Sequence, residues 1–267
     1  MSNNVKEDPF IGYMRTLRAV ETDWFALSAM FEFYTQDGKF TGPFYRRRVQ
    51  AIDDLIYLKG GGKAIDIGSS WGLMSINLSR KGYHVVALDT YPRLFSQLVL
   101  PQARFFGVEH QVSCIVSVCE GLPFEHECFD LAICGEIIEH LPKPERLIIE
   151  VARVLKPGAE VIISTPNAAN IFRKVSHKFG FTVIKAHVHE FTLSELFSLV
   201  RRKEFNLEVK ECRFLNPNIY PIGELFLWKF LGGFLKKIYY LIASPIERTP
   251  YLNSMVCDTI ILRLRKR

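Results

Sequence analysis

From Lys63 onward the chain alternates short apolar runs with helical stretches, and this rhythm constrains the fold more than any other feature. The runs cover 64–67, 85–88, 112–118, 129–134 and 160–164, each of strand length. Between them, helical patterns cover 72–81, 92–108 and 144–155, the last expected to stop at Lys156-Pro157-Gly158. Successive β-α units of this kind predict an α/β fold with a doubly wound, mostly parallel sheet. Two later runs, 207–212 and 259–264, raise the expected sheet to seven strands. Thr192 followed by Glu195 predicts a capping box that opens a helix running through Arg202.

The segments outside this rhythm read as appendages. Residues 10–34 place Tyr13, Leu17, Val20, Trp24, Leu27, Phe31 and Tyr34 three or four apart, and 44–58 continues the pattern before Gly60-Gly61-Gly62 breaks it. A helical cap is therefore expected over 1–59, followed by a core over 60–213. About forty residues separate the last two strands, too many for a simple hairpin. The stretch 214–252 is accordingly an insertion, expected to form a helical lid before a final core strand in 253–267. Its part 225–242 is dense in aromatic and aliphatic groups and carries Lys229, Lys236 and Lys237. It reads either as an apolar face packed on the domain or as a helix lying on an anionic membrane surface.

Composition narrows the classes further. At 48% hydrophobic and 23% charged residues, the chain is globular rather than disordered. Its net charge of +6 sits largely in Arg46–Arg48, Arg201–Lys203 and 263–267, and permits nucleic acid or membrane contact without demanding either. The six cysteines form no C-x-x-C pair, which suggests reduced structural thiols and a cytoplasmic location. The polar start argues against a signal peptide, and no window of about 18 uninterrupted apolar residues suggests a spanning helix.

The most informative segment is Asp66-Ile67-Gly68-Ser69-Ser70-Trp71-Gly72, where a strand runs into a glycine turn and a helix. Gly68 allows a sharp turn and close backbone approach to a ligand, and the helix start offers unpaired N–H groups. Asp89 stands 21 residues beyond Gly68, at the tip of the second strand, placed to accept hydrogen bonds from both hydroxyls of a ribose. A dinucleotide would want G-x-G-x-x-G, yet Ser70 and Leu73 fall where the second and third glycines belong. The expected ligand is a nucleoside derivative other than a nicotinamide dinucleotide.

These residues, with Leu122-Pro123-Phe124, Phe129-Asp130-Leu131, Glu139-His140-Leu141, 154–159 and Ser164-Thr165-Pro166-Asn167, resemble the class I S-adenosylmethionine-dependent methyltransferases. The resemblance spans about residues 60–213 and implies the Rossmann-like methyltransferase fold with S-adenosyl-L-methionine as cofactor. Carried over by position, it implies that Asp66, Gly68, Ser70 and Gly72 line the methionine end and its turn, and that Asp89 holds the ribose. Cys119 and Glu120 would edge the adenine, and Gly135 and Glu136 would face the sulfonium. Two positions depart from the family pattern: Ser70 replaces a middle glycine, and Val118 replaces an aspartate that would reach the adenine amino group.

Glu136, Glu139 and His140 stand at i, i+3 and i+4, so a helical turn after the fourth strand would project all three to one side. Three roles are open. They can bind a divalent cation such as Mg²⁺, Mn²⁺ or Zn²⁺ with His187 or His189 from the loop 187–191; the pattern resembles ubiquinone-pathway and small-RNA 2′-O-methyltransferases, and the resemblance favours His187. Alternatively His140 acts as general base with Glu139 orienting it. In the third role Glu136 only faces the cofactor and the rest is structural.

Together these readings imply a methyltransferase acting on a hydroxyl or amine of a small, apolar, aromatic or lipid-like acceptor. An RNA 2′-O-methyltransferase and a non-catalytic S-adenosylmethionine-binding module are the alternatives. Peripheral contact with the inner face of a membrane through 225–242 is compatible with the sequence, and no obligate protein partner is inferred.

Overall fold

The apolar runs form the expected strands in a computed structural model that describes residues 43–57, 60–171, 174, 187–217, 255 and 257–267. In chain order these are α1 (Pro43–Asp53), β1 (Lys63–Ile67), α2 (Leu73–Arg80), β2 (His84–Asp89), α3 (Pro92–Leu94), a π-helical turn (Phe95–Val99) and α4 (Leu100–Phe105). There follow β3 (Val112–Val116), β4 (Phe129–Gly135), α5 (Pro144–Val154), β5 (Leu155–Pro166), α6 (Leu193–Val200), β6 (Leu207–Pro217) and β7 (Cys257–Lys266).

The seven strands form one sheet in the order β3-β2-β1-β4-β5-β7-β6. β1 to β5 are parallel, whereas β7 runs antiparallel to both β5 and β6. The order reverses between β1 and β4, the switch point where open α/β sheets bind ligands beyond the carboxyl ends of their strands.

Alternate side chains of each central strand go to opposite faces, and each face is covered. Ile65, Ile67, Ala132, Cys134, Val161, Ile163, Leu262 and Leu264 pack with Leu147, Ile148 and Val151 of α5 and with Leu196 and Leu199 of α6. Ala64, Leu131, Ile133, Ile162 and Ile261 pack on the other side with Val49 and Ile52 of α1 and with Leu73, Met74 and Leu78 of α2. Burial on both faces explains why these strands read as continuous apolar runs rather than as alternating ones.

Three boundaries differ from the expectations. Lys156-Pro157-Gly158 does not follow the helix as a turn: α5 ends at Val154 and these residues lie inside β5. They form a bulge, since Phe129 pairs with Leu155 but Leu131 pairs with Glu160, and Gly158 takes a φ of 81° there. The helix expected over 92–108 is interrupted by the π turn, because Pro101 has no N–H with which to continue the ladder into α4. β6 runs on to Pro217, four residues into the segment assigned to the insertion. The remainder of that insertion, 218–252, the region 225–242 within it, and the helix expected over 10–34 lie outside the described residues.

Candidate active site

The glycine turn is built by hydrogen bonds that tie it to the end of β2. The N–H groups of Gly68 and Ser69 donate to the Leu88 carbonyl at 2.9 and 3.0 Å, and the Gly72 N–H closes the turn on the Ser69 carbonyl at 2.8 Å. Gly68, Ser70 and Gly72 take positive φ values of 71°, 47° and 75°. A Cβ on Gly68 would stand 2.6 Å from Ile137 Cδ1, and one on Gly72 2.8 Å from Val99 Cγ2, so both glycines also answer to close packing. Ser70 occupies the left-handed region without that exemption. Its N–H donates to Asp89 Oδ2 at 2.8 Å, which helps to hold it there.

Asp89 sits where the sequence places it, at the tip of β2, with Oδ1 accepting the Tyr91 N–H at 3.1 Å. Each carboxylate oxygen has one fixed donor and keeps lone-pair capacity for another. Ser69 Oγ in the same turn is buried with no hydrogen-bond partner. A buried hydroxyl of that kind at a ligand-binding turn fits a polar ligand group. Asp66 lies beneath the turn and accepts from Ser75 Oγ at 2.6 Å. Burial pushes its carboxyl up to about 6, against the opposing Ser75 hydrogen bonds, with the Asp89 charge adding to the rise and Arg48 countering it.

Arg48 was not singled out within its run of three arginines, yet α1 brings it over the carboxyl ends of the strands. Its Nη1 lies 3.7 Å from Glu136 Oε2. It also counters the raised carboxyls of Asp66 and Glu139, so one cation serves three acids. The signal for it would be helical phase: Val49 and Ile52 face the sheet, and Arg48 follows at the edge of that buried stripe.

The E-x-x-E-H segment divides in the structure. Glu136 closes β4 in a left-handed conformation, φ 53°, and its Oε1 accepts from Ser164 Oγ at 2.9 Å. Glu139 and His140 follow in the short 3₁₀ turn Ile138–His140. With His187 they offer ligand atoms that all lie within 4.8 Å of one another, and Glu136 is not part of this group. Glu139 is fully buried; Oε2 accepts from Thr165 Oγ1 at 3.0 Å, while Oε1 has no hydrogen-bond partner. Burial, reinforced by the negative charge of Glu136, holds the Glu139 carboxyl well above the usual carboxylate range. An orphaned buried carboxylate oxygen beside two imidazoles fits a divalent cation of the borderline or hard class.

His187 reaches this group because its loop is pinned. The N–H groups of Val188 and His189 both donate to the Glu139 carbonyl, at 2.8 and 3.1 Å. His189, the other candidate, meets Phe191 edge to face at 4.6 Å between ring centroids and is half exposed at 51%. Of the pair expected beside the adenine, Cys119 is buried and its Sγ donates to Glu120 Oε2 at 3.4 Å, while the neighbouring Val118 is 55% exposed.

Two of the three basic tracts meet elsewhere. Arg201, Arg202, Lys203 and Arg267 line one depression of about 420 Å³. It lies at the end of the sheet where Arg265 pairs with Glu160, just after the bulge in β5, opposite the carboxyl ends that carry the acidic group. All six cysteines are free, and among the described residues no helix is long and apolar enough to cross a membrane.

Residues 65–163 match the family model described as a methyltransferase domain. The chain is 30% identical over 189 residues to the ubiquinone biosynthesis O-methyltransferase of Hahella chejuensis, covering 66% of this chain and 77% of that one. The enzyme of the same name from Xylella fastidiosa is 31% identical over 171 residues, covering 60% and 67%. Among solved structures, a putative methyltransferase from Bacillus halodurans superposes with a TM-score of 0.57 at 18% identity, over 82% of this chain and 99% of that one. Geranyl diphosphate C-methyltransferase from Streptomyces coelicolor gives 0.60 at 13% identity, over 84% and 79%. At those identities the structures speak for the fold alone.

Proposed function

This chain belongs to the class I S-adenosylmethionine-dependent methyltransferases, and from that premise we propose that it methylates a hydroxyl of a small, apolar, aromatic or lipid-like acceptor with the help of a divalent cation. The observation that carries this reading is the convergence of Glu139, His140 and His187 within 4.8 Å of one another at the carboxyl end of the sheet. The names of the curated relatives, O-methyltransferases of ubiquinone biosynthesis, support a hydroxyl over an amine or carbon.

Bound S-adenosylmethionine supplies an electrophilic methyl carbon, and a bound cation lowers the pKa of an acceptor hydroxyl. The rest of the task falls to the chain. Asp89 holds the ribose hydroxyls, the Gly68–Gly72 turn with Ser69 and Ser70 encloses the amino-acid end, and Asp66 supports the turn from below. Arg48 offsets the acidic surroundings and is poised for the carboxylate of the same ligand. Cys119 and Glu120 border the adenine, and Gly135 and Glu136 border the sulfonium, Glu136 kept in place by Ser164. Glu139, His140 and His187 would hold the cation beside the acceptor hydroxyl. Alignment of nucleophile, methyl carbon and sulfur is worth about 7 kcal/mol or more, so positioning groups suffice.

The reading includes a cytoplasmic enzyme with a helical cap over 1–59 and, after the end of β6, an apolar lid over 218–252 flanking the cleft, the lid able to rest on a membrane through 225–242. RNA as acceptor is less well served, because the basic depression opens at the other end of the sheet. The test is transfer of labelled methyl to a catechol carrying an apolar tail, with and without EDTA. Cation-dependent O-methylation is expected; transfer only to an RNA 2′-hydroxyl, or transfer indifferent to EDTA, would contradict the proposal.

A further inference from the structure

His187 does not stand alone. Its Nδ1 lies 2.8 Å from Glu190 Oε1, and both side chains are largely buried, at 9% and 16% exposure. An ionised carboxylate only accepts, so the ring donates its Nδ1–H to Glu190, and in the neutral imidazole Nε2 is then the nitrogen with a lone pair. Glu190 is not one of the three residues whose ligand atoms converge, and it touches the site at the imidazole of His187.

The backbone around Glu190 is fixed from both sides. Before it, the Val188 and His189 N–H groups are held by the Glu139 carbonyl. After it, the Phe191 carbonyl accepts the Ala168 N–H at 2.9 Å, and Phe191 bridges in parallel to Asn167. Asn167 is itself anchored to β7, its N–H donating to the Asp258 carbonyl at 2.7 Å and its Nδ2 to the Cys257 carbonyl at 2.9 Å. Thr192 then starts α6 in a capping box with Glu195. A carboxylate on so constrained a segment cannot follow a wandering ring; the ring must settle against it.

We propose that Glu190 is a positioning residue that fixes the tautomer and orientation of His187, so that Nε2 is presented to the space shared with Glu139 and His140. This deepens the cation reading and rests on it for its purpose, although the tautomer itself is open to measurement without any metal. Partners of this kind typically change metal affinity by roughly 10- to 100-fold when removed.

The test has two arms on the full chain. Long-range ¹H–¹⁵N correlation spectra of the metal-free protein report which imidazole nitrogen carries the proton, with His187→Gln identifying the His187 signals. The parent should show His187 protonated on Nδ1, Glu190→Gln should retain that form because the amide oxygen still accepts, and Glu190→Ala should shift it toward Nε2–H. Titration with Mn²⁺ should give a Kd roughly 10-fold weaker in Glu190→Ala, with Glu190→Gln between it and the parent. A parent His187 protonated on Nε2, or a Glu190→Ala protein with parental tautomer and parental Mn²⁺ affinity, overturns the inference. A parent that binds no Mn²⁺ sinks the cation reading instead, and the spectra still decide the role of Glu190. Thermal melts of both variants, with Glu190→Gln as the conservative control, separate loss of fold from loss of orientation.

Discussion

Asp66 shows how one buried carboxyl couples the ligand turn to stability. Its folded-state value of about 6 exceeds the ordinary aspartate value, so between pH 4 and 6 the folded state keeps a proton that the unfolded chain gives up. Stability therefore falls as pH rises through that window, by at most about 3 kcal/mol, and stays at the lower level above it. Asp66→Asn removes this cost. Its stability advantage over the parent, measured by urea unfolding, should grow from pH 4 to 6 and then level off; an advantage independent of pH would show that Asp66 is charged when buried. The positions of Asp66, Gly68, Gly72 and Asp89 were legible in the sequence because they are fixed points of a β-α-β unit. The choice of His187 over His189 came from the family resemblance; the place of Arg48 beside the acids and the anchoring of the 187–191 loop were not legible. Both depend on contacts distant in the chain: the face of α1 that meets the sheet, and the Glu139 carbonyl that pins the loop 187–191.

Among the elements, α2 depends on its first residue. Gly72 caps it in a left-handed conformation with Val99 against the missing Cβ. Gly72→Ala should cost at least about 1–2 kcal/mol from the backbone alone, read as a lower denaturant midpoint with unchanged slope. α5 depends on burial instead: Leu147 is wholly enclosed between the helix and the sheet, and Leu147→Ala should cost about 2–5 kcal/mol. A loss under 1 kcal/mol in the same unfolding assay would mean that this face is not closed as described. The strands and the capping box of α6 were readable because periodicity and a local hydrogen-bond motif specify them. The bulge at Lys156-Pro157-Gly158 was misread as a helix stop, since proline and glycine signal a break in regular pairing without telling a turn from a bulged strand. The π turn before Pro101 was missed for a related reason, because proline can be absorbed by a locally widened helix.

At the scale of the molecule, the sheet separates two kinds of charge. Its carboxyl ends collect Asp66, Asp89, Glu136 and Glu139 with Arg48 beside them, while Arg201, Arg202, Lys203 and Arg267 gather at the opposite end. The ligand end is the one that the switch in strand order between β1 and β4 opens, and Asp89 stands on its rim. Calorimetric titration of the protein and of Asp89→Asn with S-adenosylmethionine and S-adenosylhomocysteine tests that placement most directly. The account predicts saturable binding of both ligands to the parent, weakened roughly 10- to 100-fold in Asp89→Asn as a charged hydrogen-bond acceptor for the ribose is lost. A parent that binds neither ligand, or an Asp89→Asn protein that binds both as tightly as the parent, would contradict it.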